Sequence, residues 1–262
     1  MHQRYTILRI EAENYRTKTL VLDRRLEAEP GQFAMVWLPG EGEKPFSIAA
    51  DDPFALTVVA VGPFSEALHR LAEGDALWVR GPFGQGFKLP DVASERRVLL
   101  VGGGYGVAPL LFLARRAIAA GYAADVCIGA KTADDVLLRR QFDALAVRTA
   151  VGTDVRTDEA TGVERRGITR VTTEDGTLGV RGLVTEAVSA AVVQARPDVV
   201  YACGPVGMLE AVERQCADLG LPRQLSWEAT MRCGLGLCGA CERRGGTKEG
   251  WLVCHDGPVD RG

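Results

Sequence analysis

Four cysteines near the C-terminus, Cys233, Cys238, Cys241 and Cys254, are the residues whose spacing most directly implies chemistry. They follow the pattern Cys-x4-Cys-x2-Cys-x12-Cys, and the first three have a spacing found around [2Fe–2S] clusters. Two irons bridged by sulfides need four thiolates converging on a compact rhomb. A tight loop wraps three of them around one side, and a later segment returns the fourth. Gly234, Gly236 and Gly239, with Ala240, let the backbone approach the sulfides and donate N–H bonds to them. A structural zinc site is the competing reading, but zinc ribbons usually present two Cys-x2-Cys knuckles and one such pair occurs here. The first expectation is an electron carrier.

Two glycine turns form a second constellation. Gly102, Gly103, Gly104, Tyr105, Gly106, Val107, Ala108 and Pro109 follow an apolar strand and open a helix. A pyrophosphate needs that context: backbone N–H groups, no Cβ in the way and the positive end of a helix dipole. The turn departs from G-x-G-x-x-G at its last glycine, so a plain strand–helix turn also fits. Cys203, Gly204 and Pro205 follow the last apolar strand and precede another helix. Both turns then sit at the carboxyl ends of parallel strands, where ligands bind in such sheets. That setting lifts Cys203 above Cys127 and Cys216, which read as small buried hydrophobes.

The elements that must position these groups divide the 262 residues into three segments. Residues 1–92 read as short strands punctuated by Gly31, Gly40, Gly62, Gly74 and Gly81, an antiparallel barrel or sandwich. Residues 93–225 alternate strands and helices, a doubly wound parallel sheet, with DDVLLRRQFDAL as one of the helices. Residues 151–167 are polar and aperiodic and read as a surface excursion or hairpin. Residues 226–262 are rich in cysteine and glycine, too short for a core of their own, and need a metal centre or docking to be ordered.

Composition narrows the setting. At 47% hydrophobic residues the chain can bury a substantial core, and a net charge of −3 without a long basic run gives nucleic-acid binding little support. The N-terminal segment lacks a signal-peptide core, and the longest apolar stretches fall short of a membrane span. A soluble cytoplasmic protein is expected, and its reducing surroundings argue against structural disulfides for the seven cysteines.

Taken together, these motifs resemble the ferredoxin–NADP reductase superfamily. The run SWEATMRCGLGLCGACE, followed by VCHDGPV, narrows the resemblance to the electron transfer subunits of dihydroorotate dehydrogenase B. The resemblance implies an FAD-binding barrel, a nicotinamide domain and a cluster segment. Its flavin motif falls on Lys44, Pro45, Phe46 and Ser47, with Lys where the family usually has Arg. Lys offers a cation to the flavin phosphate but not a bidentate fork. The family's next flavin element falls on Val59, Ala60 and Val61, leading into a turn at Gly62, Pro63, Phe64 and Ser65. Gly84 lies in the stretch that closes the barrel.

On the nicotinamide side, Glu174 and Asp175 fall where relatives specific for NADPH place cations. Acidic residues there favour ribose hydroxyls and repel a 2′-phosphate, which points to NADH. Arg165 and Arg166 in the preceding excursion read as a solvated loop, with an adenine-side role as the alternative. Glu228 is the acidic residue nominated near the flavin, with a plain surface Glu as the alternative. The implied route runs from NADH through FAD and the [2Fe–2S] cluster to a separate FMN-containing catalytic subunit that oxidises dihydroorotate to orotate, within a hetero-oligomer. Met231, Arg232 and Leu237 flank the cluster loop and are its expected docking surface. Two other readings stand beside this one: a reductase or diaphorase subunit of another redox complex, and a non-catalytic protein with a zinc-stapled tail.

Overall fold

A computed structural model describes residues 1–91, 96–146, 156–157, 164–165, 167–243 and 250–262. The chain forms two compact units. One comprises Met1–Phe87 together with Ser226–Asp260, and the other Lys88–Leu225 with Arg261–Gly262. The cysteine-rich tail thus belongs to the same unit as the N-terminal strands.

In the first unit, β1 (Gln3–Asn14), β2 (Thr17–Leu22), β3 (Phe33–Leu38), β4 (Gly42–Asp51), β5 (Phe54–Val59) and β6 (Ala76–Phe83) close a barrel in the order β1-β2-β5-β4-β3-β6. Every pairing is antiparallel, and closure leaves no free sheet edge. Tyr5 and Ile7 of β1 point inward, and Leu8, which alternates with them, is exposed. β3 does not alternate, because Phe33, Ala34, Met35 and Val36 are all buried. Its second face is covered by the tail, where Gly234 packs on the side chain of Met35.

A helix, α1 (Pro63–Arg70), stands where the sequence reads as a turn. Proline at its first position, Glu66 in the first turn and His69 and Arg70 in the last suit the helix dipole. Phe64, Ala67 and Leu68 are buried, so an amphipathic pattern was present but short.

The second unit is a sheet in the order β12-β11-β8-β7-β13-β14, using β7 (Arg97–Gly103), β8 (Ala123–Ala130), β11 (Thr169–Thr173), β12 (Val180–Arg181), β13 (Val199–Cys203) and β14 (Arg223–Ser226). β7 is central and parallel to β8 and β13, and Val98–Val101 are fully buried, as expected of a strand covered on both faces. The connecting helices are α2 (Val107–Ala119), α3 (Arg139–Ala146), α4 (Val184–Gln194) and α5 (Val206–Leu219). The chain leaves β7 toward β8 and β11 and later returns to β13 on the other side, so the strand order reverses at β7. The barrel and the doubly wound sheet are the architecture expected from the sequence.

Two local expectations need correction or placing. The helix expected over DDVLLRRQFDAL begins only at Arg139. A 3-10 turn at Ala133–Asp135 precedes it, and Leu138 adopts a left-handed φ of 58°, which turns the chain where Leu137 and Leu138 are both buried. Within the charged excursion, β9 (Arg156–Thr157) and β10 (Glu164–Arg165) pair antiparallel as a hairpin. Arg166 lies outside the described residues.

Candidate electron-transfer site

The cluster loop is built on glycine. Gly234, Gly236 and Gly239 have φ of 71°, 75° and 67°, the left-handed region in which successive backbone N–H groups turn inward. The N–H of Leu235 donates to Cys233 Sγ at 3.4 Å, that of Gly236 to Cys254 Sγ at 3.2 Å and that of Cys254 to Cys241 Sγ at 3.4 Å. The thiols associate in two pairs, Cys233 with Cys238 and Cys241 with Cys254. Two thiol pairs with N–H donors aimed at sulfur fit a dinuclear cluster, which takes two thiolates on each iron.

The pairs differ in surroundings. Cys241 and Cys254 are buried, Cys233 is half-buried and Cys238 is exposed. The Leu235 N–H, helped by those of Cys238 and Leu237, holds the Cys233 thiol down to about 6, whereas burial pushes Cys254 up to about 12. Cys233 is therefore a ready thiolate near neutral pH, and Cys254 gives up its proton as metal binds. Leu237 is 81% exposed on the outer rim of the loop, with Leu235 beside it also exposed. Met231 is half-buried and Arg232 exposed.

The barrel fixes the tail from both ends. Trp227, 3% exposed, donates its backbone N–H to Pro258 O at 2.9 Å, and the Arg243 guanidinium stacks 3.4 Å above its ring centroid. The N–H of Gln85 donates to Gly257 O. Gly84, at φ 73°, lies so close to the tail that a Cβ there would collide with the Gly257 carbonyl and sit 2.8 Å from Pro258 Cδ. Glu228 follows Trp227 directly and is exposed.

The segments nominated for flavin meet on the barrel. Lys44, Pro45, Phe46 and Ser47 lie on β4 opposite Val36, Met35, Ala34 and Phe33 of β3. Lys44 and Ser47 are exposed, while Pro45 and Phe46 are half-buried. Val59 and Ala60 are half-buried and Val61 is exposed at the end of β5. The Phe46 and Phe64 rings, 6.0 Å apart between centroids, join the two segments. The Ser65 hydroxyl is engaged locally: it accepts from the N–H groups of Val61 and Gly62 and donates to Gly62 O. It caps α1, a use that a phosphate would have to displace.

The second unit brings its two glycine turns into contact. Cys203 pairs with Gly102 across β13 and β7. A Cβ on Gly103 would lie 2.6 Å from Met208 Sδ and 2.9 Å from Pro205 Cδ, and one on Gly106 would collide with the Cys203 carbonyl and lie 2.7 Å from Gly204 N. Gly102 is similarly pressed by Val107. Gly104 differs: its φ is 54° and nothing lies within 4 Å of its missing Cβ, so one side of the turn is open. Pro109 is buried in the first turn of α2, where it costs no intrahelical hydrogen bond. The Cys203 thiol is 5% exposed.

Glu174 and Asp175 follow β11 and are exposed. The Asp175 carboxylate accepts from the Thr177 N–H at 3.0 Å and the Thr177 hydroxyl at 2.7 Å, which hold it below the usual carboxylate range. Its charge is kept, but its oxygens shape the loop. Glu174 carries no such bond to Thr177.

Comparison with known proteins converges on the same geometry. Residues 100–214 match the oxidoreductase NAD-binding domain, and residues 228–262 match the iron-sulfur cluster binding domain of dihydroorotate dehydrogenase B. A protein of Methanocaldococcus jannaschii named "Probable dihydroorotate dehydrogenase B (NAD(+)), electron transfer subunit" is 34% identical, over 97% of this chain and 87% of its own. A protein of the same name from Thermococcus kodakarensis is 38% identical over 94% and 90%. The chain belongs to this family of electron transfer subunits.

The family's electron transfer subunits share their fold with a wider group of reductases. An NADH-dependent reduced ferredoxin–NADP oxidoreductase superposes with a TM-score of 0.80 at 27% identity, covering 98% of this chain and 87% of that one. The ferredoxin reductase of carbazole 1,9a-dioxygenase, at 20% identity and a TM-score of 0.66 over 85% and 67% of the two chains, shares the fold. The chain is an NADH-linked oxidoreductase subunit whose cofactors are FAD and an iron–sulfur cluster.

Proposed function

We propose that this subunit passes electrons between NADH and an FMN-containing catalytic subunit, coupling the oxidation of dihydroorotate to orotate with the reduction of NAD+. The observation that carries this reading is the pair of thiol pairs in a loop seated on the barrel, with the Cys238 edge and Leu237 facing outward. Bound FAD supplies the exchange between a nicotinamide's two-electron hydride and a cluster's single electrons.

The chain's own residues bind and orient. The N–H groups opening α2, on the side of the turn left open at Gly104, take the dinucleotide's pyrophosphate, with Gly103 and Gly106 letting Cys203, Gly204 and Pro205 close in as the facing wall. Glu174 holds the ribose hydroxyls and disfavours a 2′-phosphate. Lys44, with Ser47 and the ring of Phe46, serves the flavin, and Glu228 stands at the start of the cluster loop. Leu235 and Leu237 supply an apolar contact for the partner, which shortens the electron's path from the cluster. No helix among the described residues is long and apolar enough to cross a membrane. A cytoplasmic location suits seven cysteines with no disulfide among them.

The test is reconstitution of the cofactor-loaded subunit with an FMN-bearing dihydroorotate dehydrogenase. Dihydroorotate-dependent reduction of NAD+ by the mixture, absent from either protein alone, is the expected result. Turnover only with a ferredoxin-type acceptor would instead favour a subunit of another redox complex, the reading that the 0.80 TM-score to the ferredoxin–NADP oxidoreductase supports.

A further inference from the structure

A half-buried charge pair lies beneath the cluster loop. Glu43 on β4 and Arg80 on β6 are far apart in sequence, but both strands pair with β3, and Met35 stands opposite Arg80 while Trp37 stands opposite Glu43. The two side chains meet across β3 in a bidentate pair, Arg80 Nε to Glu43 Oε1 at 2.7 Å and Arg80 Nη2 to Glu43 Oε2 at 2.8 Å. Only 16% and 21% of the respective side chains are exposed. His2 Nε2 shares the Glu43 carboxylate at 2.8 Å.

The cluster loop rests on this same surface. A Cβ on Gly234, the neighbour of Cys233, would lie 3.1 Å from Met35 Cγ and 3.7 Å from Phe83 Cδ2. Met35 is the cross-strand partner of Arg80, and the Arg80 guanidinium lies 5.3 Å from the Phe83 ring centroid. Arg80 and Cys233 are within electrostatic reach of each other. A cation locked in place, half screened by its own carboxylate, therefore sits near Cys233, the half-buried member of the outer thiol pair.

Resting on the [2Fe–2S] reading above, we propose that the Arg80–Glu43 pair sets the reduction potential of the cluster. The reduced cluster carries one more negative charge than the oxidised one, so a fixed guanidinium favours reduction, and Glu43 moderates it. The guanidinium stays charged throughout the working pH range, so its effect is a constant offset. Arg80 acts here as a positioning and tuning residue; the thiolates alone touch iron.

The test is a redox titration of the cofactor-loaded protein, read by the electron paramagnetic resonance of the reduced cluster. Arg80→Gln should lower the midpoint, by up to about tenfold in the equilibrium constant for reduction, or about 59 mV for a one-electron couple. Glu43→Gln should raise it, and Arg80→Lys should restore most of the wild-type value. A purely structural pair moves both variants the same way or leaves the midpoint alone, and either result overturns the proposal. Should Arg80→Gln fail to hold a cluster, the direction of the Glu43→Gln shift decides, upward supporting and anything else overturning. Iron content and signal of the wild type report separately on the cluster: a protein without them overturns the cluster reading and this inference with it, whereas unmoved midpoints in cluster-bearing variants overturn only the role of Arg80.

Discussion

Gly106 lies against the carbonyl of Cys203, so the turn that opens α2 and the turn that ends β13 share a wall with no room for a side chain. Gly106→Ala must push the two turns apart. The expected cost is about 1–3 kcal/mol of stability, as for other overpacked sites, with a marked rise in the NADH concentration needed to bleach the flavin. Thermal melting and stopped-flow reduction measure the two effects. Gly104→Ala, facing open space but at a left-handed φ of 54°, should cost only the backbone strain, ~1–2 kcal/mol.

Cys241 is buried, and its sulfur accepts the N–H of Cys254, its partner in one thiol pair. Cys241→Ser should abolish or perturb the cluster while NADH still reduces the flavin. Iron analysis and absorption spectra follow both. Loss of flavin along with iron would mean that the tail also holds the barrel's cofactor in place.

The proposed role of Glu174 at the ribose separates it from Asp175, whose carboxylate is bonded to Thr177. Wild-type protein should prefer NADH, and Glu174→Lys should raise the rate with NADPH relative to NADH by about tenfold, a change of ~1.4 kcal/mol. Asp175→Asn should disturb the loop and weaken both. Equal flavin reduction by the two nucleotides at low concentration in the wild type would sink the assignment.

Leu237 is largely exposed and makes no contribution to the core. Leu237→Asp should leave melting temperature, iron content and NADH-driven flavin reduction unchanged while impairing transfer to the catalytic subunit. A truncated interface anchor of this kind typically costs on the order of 1–2 kcal/mol in binding. Binding assays with the reconstituted pair give the number; unchanged affinity and coupled turnover would remove the loop from the interface.

The sequence was most informative where a backbone or covalent requirement leaves a local trace. Thiolate spacing marks the cluster loop, and runs such as Val98–Val101 mark strands buried on both faces. Short or non-local features left little. α1 is only eight residues long and opens on Gly62 and Pro63, which read as a turn. The delay of α3 to Arg139 depends on a left-handed Leu138, a conformation no residue type announces in leucine. The Glu43–Arg80 pair was invisible because neither residue belongs to a local motif; only the register of two strands on β3 joins them. Likewise, Ser65 stands in a segment that reads as a turn, and only the folded chain shows its hydroxyl capping α1.

The seam at Gly84 bears on how the protein matures. Cys254 lies close in sequence to Gly257 and Pro258, which occupy the space that Gly84 leaves open on the barrel. The barrel therefore serves as the jig that holds the segment carrying the last thiol. A lesion at that seam would present in cells as an iron-loading defect, though the altered residue ligates no iron.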